Sequence, residues 1–283
     1  MSVVTSLPDE VQFAALHWRG RPLQLEYQFV GNAASAHPVI VFLHEGLGSL
    51  AMWKDFPARL CNELGFKGLV FSRYGYGRST PKPADERWPV SFMHAQAHEV
   101  LPALLDVLNI RRPWLFGHSD GGSIALLHAS KFDVAGAVVV APHIFVEDVS
   151  ITSIQKAREA YAGTGLKQRL ARYHADPDSA FRGWNDIWLD LAFRSWNIEA
   201  ELAGIAVPVL AMQGADDEYG TLAQIDGIAK ALPKARLLVI PECGHSPHRD
   251  RPELLMRHSA AFIFSHPAAL SRDHEALTRY LGV

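Results

Sequence analysis

Six short apolar runs, at residues 39–43, 68–71, 113–116, 137–140, 207–212 and 236–240, constrain this chain more than any other feature. Each is four to six residues long and rich in Val, Ile, Leu and Phe, so each reads as a strand buried on both faces. Between them lie longer stretches with helical spacing at 52–64, 92–108, 123–130, 219–232 and 252–264. Strands of this kind alternating with helices predict an α/β fold with a mostly parallel sheet covered on both sides. Two further strands at 13–18 and 23–30, joined by Arg19-Gly20-Arg21-Pro22, predict an antiparallel hairpin at one edge. The interval 145–204 interrupts the rhythm. It has helical stretches, no buried strand, and the aromatics Phe181, Trp184, Trp188, Phe193 and Trp196. It is expected to be an inserted helical cap, with 1–144 and 205–283 forming the core. Most of these aromatics should pack cap against core, and some should line an apolar cleft.

The run at 113–116 leads into Gly117-His118-Ser119-Asp120-Gly121 and then a helical segment. Strand, G-x-S-x-G, helix is the context of a nucleophile elbow, which presents a serine hydroxyl at the sheet edge. Bulk beside so sharp a turn would clash, and glycine removes it. A serine hydroxyl is a weak nucleophile at neutral pH, so it needs a base, and the base needs an orienting acid. Two later loops offer them. Gln213-Gly214-Ala215-Asp216-Asp217-Glu218 follows the strand at 207–212, and Pro241-Glu242-Cys243-Gly244-His245-Ser246-Pro247-His248 follows the last strand.

On these motifs, in this order, the chain resembles the α/β-hydrolase superfamily, in its compact, capped serine esterase-like branch, over about residues 10–265. The resemblance implies an α/β-hydrolase fold, with Ser119 as nucleophile and His245 of the Gly244-His245 pair as base. It implies Asp217, three residues after Gly214, as acid. Asp216 competes for that role, and His248 is a lesser alternative to His245. The oxyanion hole should combine the backbone N–H of Asp120 with one from His44-Glu45-Gly46-Leu47. Gly46 is preferred there over Glu45 or Leu47. Glu45 departs from the family's His-Gly-x. In Ser72-Arg73-Tyr74-Gly75-Tyr76-Gly77-Arg78-Ser79, Ser72 and Tyr74 replace the aspartate and arginine of the family's Asp-x-Arg-Gly turn. Two carboxylates, Glu45 and Asp120, beside an oxyanion need compensation, and Arg73 is expected to pair with Glu45.

The activity implied is cleavage of a small or medium carboxylic ester through an acyl-enzyme intermediate, without cofactor or metal. Carbon–carbon bond or thioester hydrolysis is the alternative within the fold, and a small-molecule receptor the alternative outside catalysis. With 48% hydrophobic and 20% charged residues and a net charge of −3, nothing invites a nucleic acid or an anionic membrane as partner. Met1–Pro8 lacks a basic region followed by an apolar stretch, and no run approaches the roughly 20 residues of a membrane span. A cytoplasmic setting is therefore expected. Cys61 and Cys243 read as reduced thiols, Cys243 as an apolar filler despite its nearness to His245. His94 and His98 stand one helical turn apart, but lack a third ligand nearby and read as an exposed helix face. His118 reads as packing support, and His143 as a loop residue that could border the pocket.

Overall fold

The computed structural model describes residues 10–267; residues 1–9 and 268–283, including the stretch considered for a leader, lie outside the described residues. Eight strands form one sheet: β1 (Gln12–Trp18), β2 (Arg21–Gly31), β3 (Ile40–Leu43), β4 (Lys67–Phe71), β5 (Trp114–His118), β6 (Gly136–Val140), β7 (Val209–Gly214) and β8 (Arg236–Ile240). Their spatial order is β1-β2-β4-β3-β5-β6-β7-β8. β1 and β2, and β2 and β4, are antiparallel, and every later pair is parallel. The expected α/β architecture is present. The hairpin turn narrows to Arg19 (φ 50°) and Gly20 (φ 76°), with Trp18 opposite Arg21. Two successive left-handed residues make the tight turn whose twist suits paired strands.

Alternate residues of the central strands feed two cores, one on each sheet face. Val41, Leu43, Leu115, Val139 and Ala211 point to one side; Phe42, Trp114, Phe116, Val138 and Met212 point to the other. Fully burying such side chains contributes about 1.5–3 kcal/mol each. That explains why these strands are apolar at every position. β8 breaks the pattern because it is the sheet edge: Leu237 and Val239 are exposed, and only Ile240 is buried.

The helical stretch at 92–108 is continuous, yet Gln96–Val100 forms a π-turn between the α-helical segments Phe92–Ala95 and Leu101–Val107. Pro102 explains it. Proline has no N–H for the carbonyl four residues back, and its ring would strike that carbonyl, so one wider turn absorbs the conflict. The stretch at 52–64 divides at Lys54 (φ 55°) into a 3₁₀ turn, Leu50–Trp53, and a helix, Phe56–Leu64.

Between β6 and β7 the chain is helical: Asp148–Gly163, Leu166–Leu170, Pro177–Trp188, Leu191–Ser195 and Glu199–Leu202. The third starts on Asp176, whose carboxylate accepts the Ser179 N–H at 2.9 Å, with Pro177 in the first turn. The ends of this insertion meet. Phe145 and Asn197 form an isolated antiparallel bridge, and the Ile198 N–H donates to the Ile144 carbonyl at 2.7 Å. Among the described residues no helix is long and apolar enough to cross a membrane.

Candidate active site

β5 runs to His118, so Ser119 stands at its carboxyl end, where the helix Asp120–Ala129 begins. Ser119 has φ 54° and ψ −122°, a strained conformation for a residue with a side chain. Three main-chain bonds hold it: its N–H donates to the Val140 carbonyl at 2.9 Å, and its carbonyl accepts from the Gly122 and Ser123 amides. A Cβ on Gly117 would lie 2.3 Å from the Gly121 carbonyl oxygen, and one on Gly121 2.0 Å from that of Leu43. Only glycine lets the elbow fold against β3.

The three loops named from the sequence converge. His245 Nε2 lies 2.9 Å from Ser119 Oγ, and His245 Nδ1 lies 2.8 Å from Asp217 Oδ1. A carboxylate only accepts, so Nδ1 carries the proton and Nε2 is left to accept from the hydroxyl. Asp217 also accepts from the Tyr219 and Gly220 amides and from Gln213 Nε2. Burial works to raise its carboxyl, but the His245 hydrogen bond and charge and the Tyr219 N–H outweigh it and hold the carboxyl below its ordinary value. Asp216 is exposed, and the carboxylate bonded to the imidazole is that of Asp217. His248 is buried against Trp53 and His118, not against Ser119.

A cavity of about 230 Å³ opens over Ser119 and His245, lined also by Gly46, Asp120, Trp184 and Trp188. Of the five cap aromatics, Trp184 and Trp188 reach it. Phe181 stacks on Tyr161 and Phe193 on Trp196, which is packing within the insertion. A Cβ on Gly46 would lie 2.2 Å from the Trp184 ring, so glycine at 46 lets the indole close over this loop. His143 lines the same cavity, buried, and burial pushes its imidazole down to about 3, so it is neutral.

The expected Arg73–Glu45 ion pair is absent. Arg73 Nη2 instead donates to the main-chain carbonyl of Glu45 at 2.9 Å and lies 3.9 Å from Asp120 Oδ2. The Glu45 carboxylate turns the other way, 3.4 Å from His118 Nδ1. Arg73 Nη2 is held by that carbonyl and faces Asp120, and the imidazole offers Glu45 a partner on its own side. Burial would raise the Glu45 carboxyl, but the contact with His118 outweighs it and holds it well below its usual value. His118 does more than pack: its Nε2 donates to the His245 carbonyl at 2.6 Å. Burial pushes the Asp120 carboxyl up to about 6, against the opposing effects of Arg73 and of the Trp188 indole, which donates to Oδ1 at 3.2 Å. The turn that lacks the family's aspartate at 72 borrows Glu26 from β2, which accepts from Ser72 Oγ at 2.5 Å and from Arg78 Nε at 3.0 Å.

Other residues escaped sequence reasoning. Glu218 accepts the His245 N–H at 3.1 Å, and the Tyr219 ring lies 4.8 Å from that imidazole. Both directly follow Asp217, and that adjacency was the available signal. Nothing local marked Gln213 as a partner of Asp217, and Trp188 was marked only as one of the aromatics expected at the cleft, not as a donor to Asp120. Cys243 is buried and its thiol is pushed up to about 11 by burial, so it is inert. His94 and His98 are half-buried, not an exposed face: His94 Nε2 lies 3.2 Å from Glu201, and His98 Nε2 donates to the Leu127 carbonyl.

Serine, histidine and carboxylate at the carboxyl edge of a mostly parallel sheet, beneath a helical insertion, define a hydrolase of the α/β type. Residues 40–257 match the alpha/beta hydrolase family model, and the chain belongs to that family. Among curated relatives, it is 30% identical over 237 residues to "Putative carbamate hydrolase RutD" of Pseudomonas savastanoi pv. phaseolicola, covering 74% of this chain and 87% of that one. It is 26% identical over 263 residues to the 2-succinyl-6-hydroxy-2,4-cyclohexadiene-1-carboxylate synthase of Klebsiella pneumoniae subsp. pneumoniae, covering 83% and 98%. The crystal structure of the enol-lactonase from Burkholderia xenovorans LB400 superposes with a TM-score of 0.69 at 21% identity, covering 89% of this chain and all of that one. That similarity concerns the fold.

Proposed function

We propose that this hydrolase cleaves small or medium carboxylic esters by a Ser119–His245–Asp217 triad. The observation that carries this reading is the unbroken line of contacts, 2.9 Å from Ser119 Oγ to His245 Nε2 and 2.8 Å from His245 Nδ1 to Asp217. His245 takes the Ser119 proton as Oγ attacks the ester carbonyl. The tetrahedral oxyanion is held by the amides of Gly46 and Asp120, and each such donor is worth about 3–4 kcal/mol in the transition state. The alkoxide leaves with the proton from His245. Water, deprotonated by the same imidazole, then releases the acid from the serine. No cofactor enters.

The cavity of about 230 Å³ supports a small acyl or alcohol part, because sites for drug-sized ligands span roughly 300–1,000 Å³. Residues 145–204 serve as a cap on core segments 1–144 and 205–283, a reading supported by the Phe145–Asn197 bridge that closes their base. The two free, buried thiols of Cys61 and Cys243 suit a reducing, cytoplasmic setting.

A fluorophosphonate probe should label Ser119 rapidly, and replacing Ser119 with Ala should abolish labelling and lower kcat about a millionfold on p-nitrophenyl acetate or butyrate. Retention of more than a few per cent of the activity would remove Ser119 from the nucleophile's role. An unlabelled wild-type pocket would favour a receptor. Faster turnover of a thioester or a vinylogous diketone than of any ester in the series would move the assignment to that bond.

A further inference from the structure

Arg73 is almost completely buried in the turn after β4, just behind the elbow. Its Nη2 donates to the Glu45 carbonyl at 2.9 Å. The same oxygen accepts from His44 Nδ1 at 2.7 Å and from the Gly48 N–H at 3.0 Å. His44 is itself fixed, because the Arg73 main-chain N–H donates to its Nε2 at 3.0 Å. That bond requires the proton on Nδ1, and burial together with the Arg73 charge keeps the imidazole neutral.

A peptide unit is planar, and in the trans form its C=O and the following N–H point in opposite directions. Fixing the Glu45 carbonyl with three donors therefore turns the Gly46 N–H the other way. Gly46 lines the cavity together with Ser119 and Asp120. The same Nη2 stands 3.9 Å from the carboxylate of Asp120, whose own N–H begins the helix after Ser119 and has no partner within it. One buried cation thus touches both residues whose amides are assigned to the oxyanion.

We propose that Arg73 is the positioning residue of the oxyanion hole. It sets the plane of the Glu45–Gly46 peptide, and its charge offsets the Asp120 carboxylate that would otherwise oppose the developing negative oxygen. This rests on the reading of Ser119 as nucleophile and of the Gly46 and Asp120 amides as donors. Arginine is preferred over lysine because its planar, always-charged guanidinium holds Nη2 between carbonyl and carboxylate from a rigid frame, whereas an ammonium is a strongly hydrated point charge on a flexible stem.

The test compares Arg73→Met, Arg73→Lys and the double variant Arg73→Met/Asp120→Asn with wild type. Three quantities are read: kcat and KM on p-nitrophenyl butyrate, the affinity for a trifluoromethyl ketone that forms a hemiketal oxyanion on serine, and the melting temperature. R73M should lower kcat roughly 100-fold, the effect of losing one oxyanion donor, with KM changed less than about threefold. Affinity for the trifluoromethyl ketone should fall in parallel with kcat. R73K should recover part of both losses, and D120N placed in R73M should recover part of the rate by removing the uncompensated charge.

A folded R73M with kcat and ketone affinity within about threefold of wild type overturns the proposal. So does a loss of activity that tracks only the folded fraction. If R73M does not fold, R73K decides alone, since unchanged kcat and ketone affinity in it refute the need for the guanidinium. Fluorophosphonate labelling of wild type, absent in S119A, keeps the two readings separable. Labelling with unaffected Arg73 variants defeats this inference alone, and no labelling defeats the esterase reading first.

Discussion

Single residues at this site are legible to different degrees, and the reason is physical. Ser119, Asp217 and His245 each follow a strand end, so local pattern and chain order were enough to find the three loops that meet. The choice between Asp216 and Asp217 is a matter of which side of one turn faces inward, and a family spacing was needed to make it. The partner of Arg73 was not legible. A guanidinium donates to a carbonyl or a carboxylate equally well by type, and only the tertiary arrangement of β3, β4 and the elbow decides which one it meets. Replacing Asp217 with Asn should leave the geometry but favour the wrong tautomer of His245, lowering kcat about 10⁴-fold; steady-state kinetics on the ester series measures it. Glu45→Gln should cost about 2 kcal/mol at pH 7 through the lost contact with His118. Because the Glu45 carboxyl is depressed in the folded protein, its stabilisation is present above about pH 4.5 and is lost as the pH falls through the depressed value. Urea titrations at pH 7 and pH 4 should show the gap between variant and wild type closing in acid.

At the scale of elements, the strands were readable because burial on both faces demands apolar residues at every position, and the helices because of their spacing. Their ends were harder. β5 continues two residues beyond the expected strand, since the sheet must carry the chain to the elbow. The π-turn at Gln96–Val100 depends on how a helix accommodates Pro102, which apolar periodicity does not report. The insertion was recognisable by what it lacked, but which aromatics face the cavity depends on helix rotation. Gly46 and Trp184 should act as a coupled pair. Gly46→Ala should displace the indole and lower kcat/KM at least tenfold, and adding Trp184→Ala should restore part of it; independent, additive losses would refute the coupling.

His174, from the insertion, accepts the Gly77 N–H on Nδ1 at 2.9 Å and donates from Nε2 to the Leu47 carbonyl at 3.1 Å. It bridges two core loops only while neutral, and burial keeps it so. Its unfolded value is about 6.5, so the anchor is intact above that pH and weakens below it. Hydrogen exchange at the Gly77 amide should slow with acid less than base catalysis alone predicts in wild type, and His174→Gln should remove that departure.

Across the whole molecule, the mostly parallel sheet and a core on each of its faces follow from the apolar runs, and the family match over residues 40–257 agrees with them. What composition did not convey is where the histidines lie. His128, His143 and His248 are buried and neutral, with burial pushing them down to about 4, 3 and 3. Unfolding frees them to take protons near pH 6.5, so the unfolded chain binds more protons than the folded one as the pH drops. Each should cost the fold about 1.4 kcal/mol per pH unit between 6.5 and its folded value. Chemical denaturation should therefore show stability declining steeply from pH 6.5 to pH 4, and His128→Phe, remote from the cavity, should make the decline shallower.

The bridge between Phe145 and Asn197 has one more implication. A helical excursion that departs and returns through a single doorway leaves the strands on either side indifferent to its length. A roof of another length would hang from the same doorway without shifting the chamber's floor.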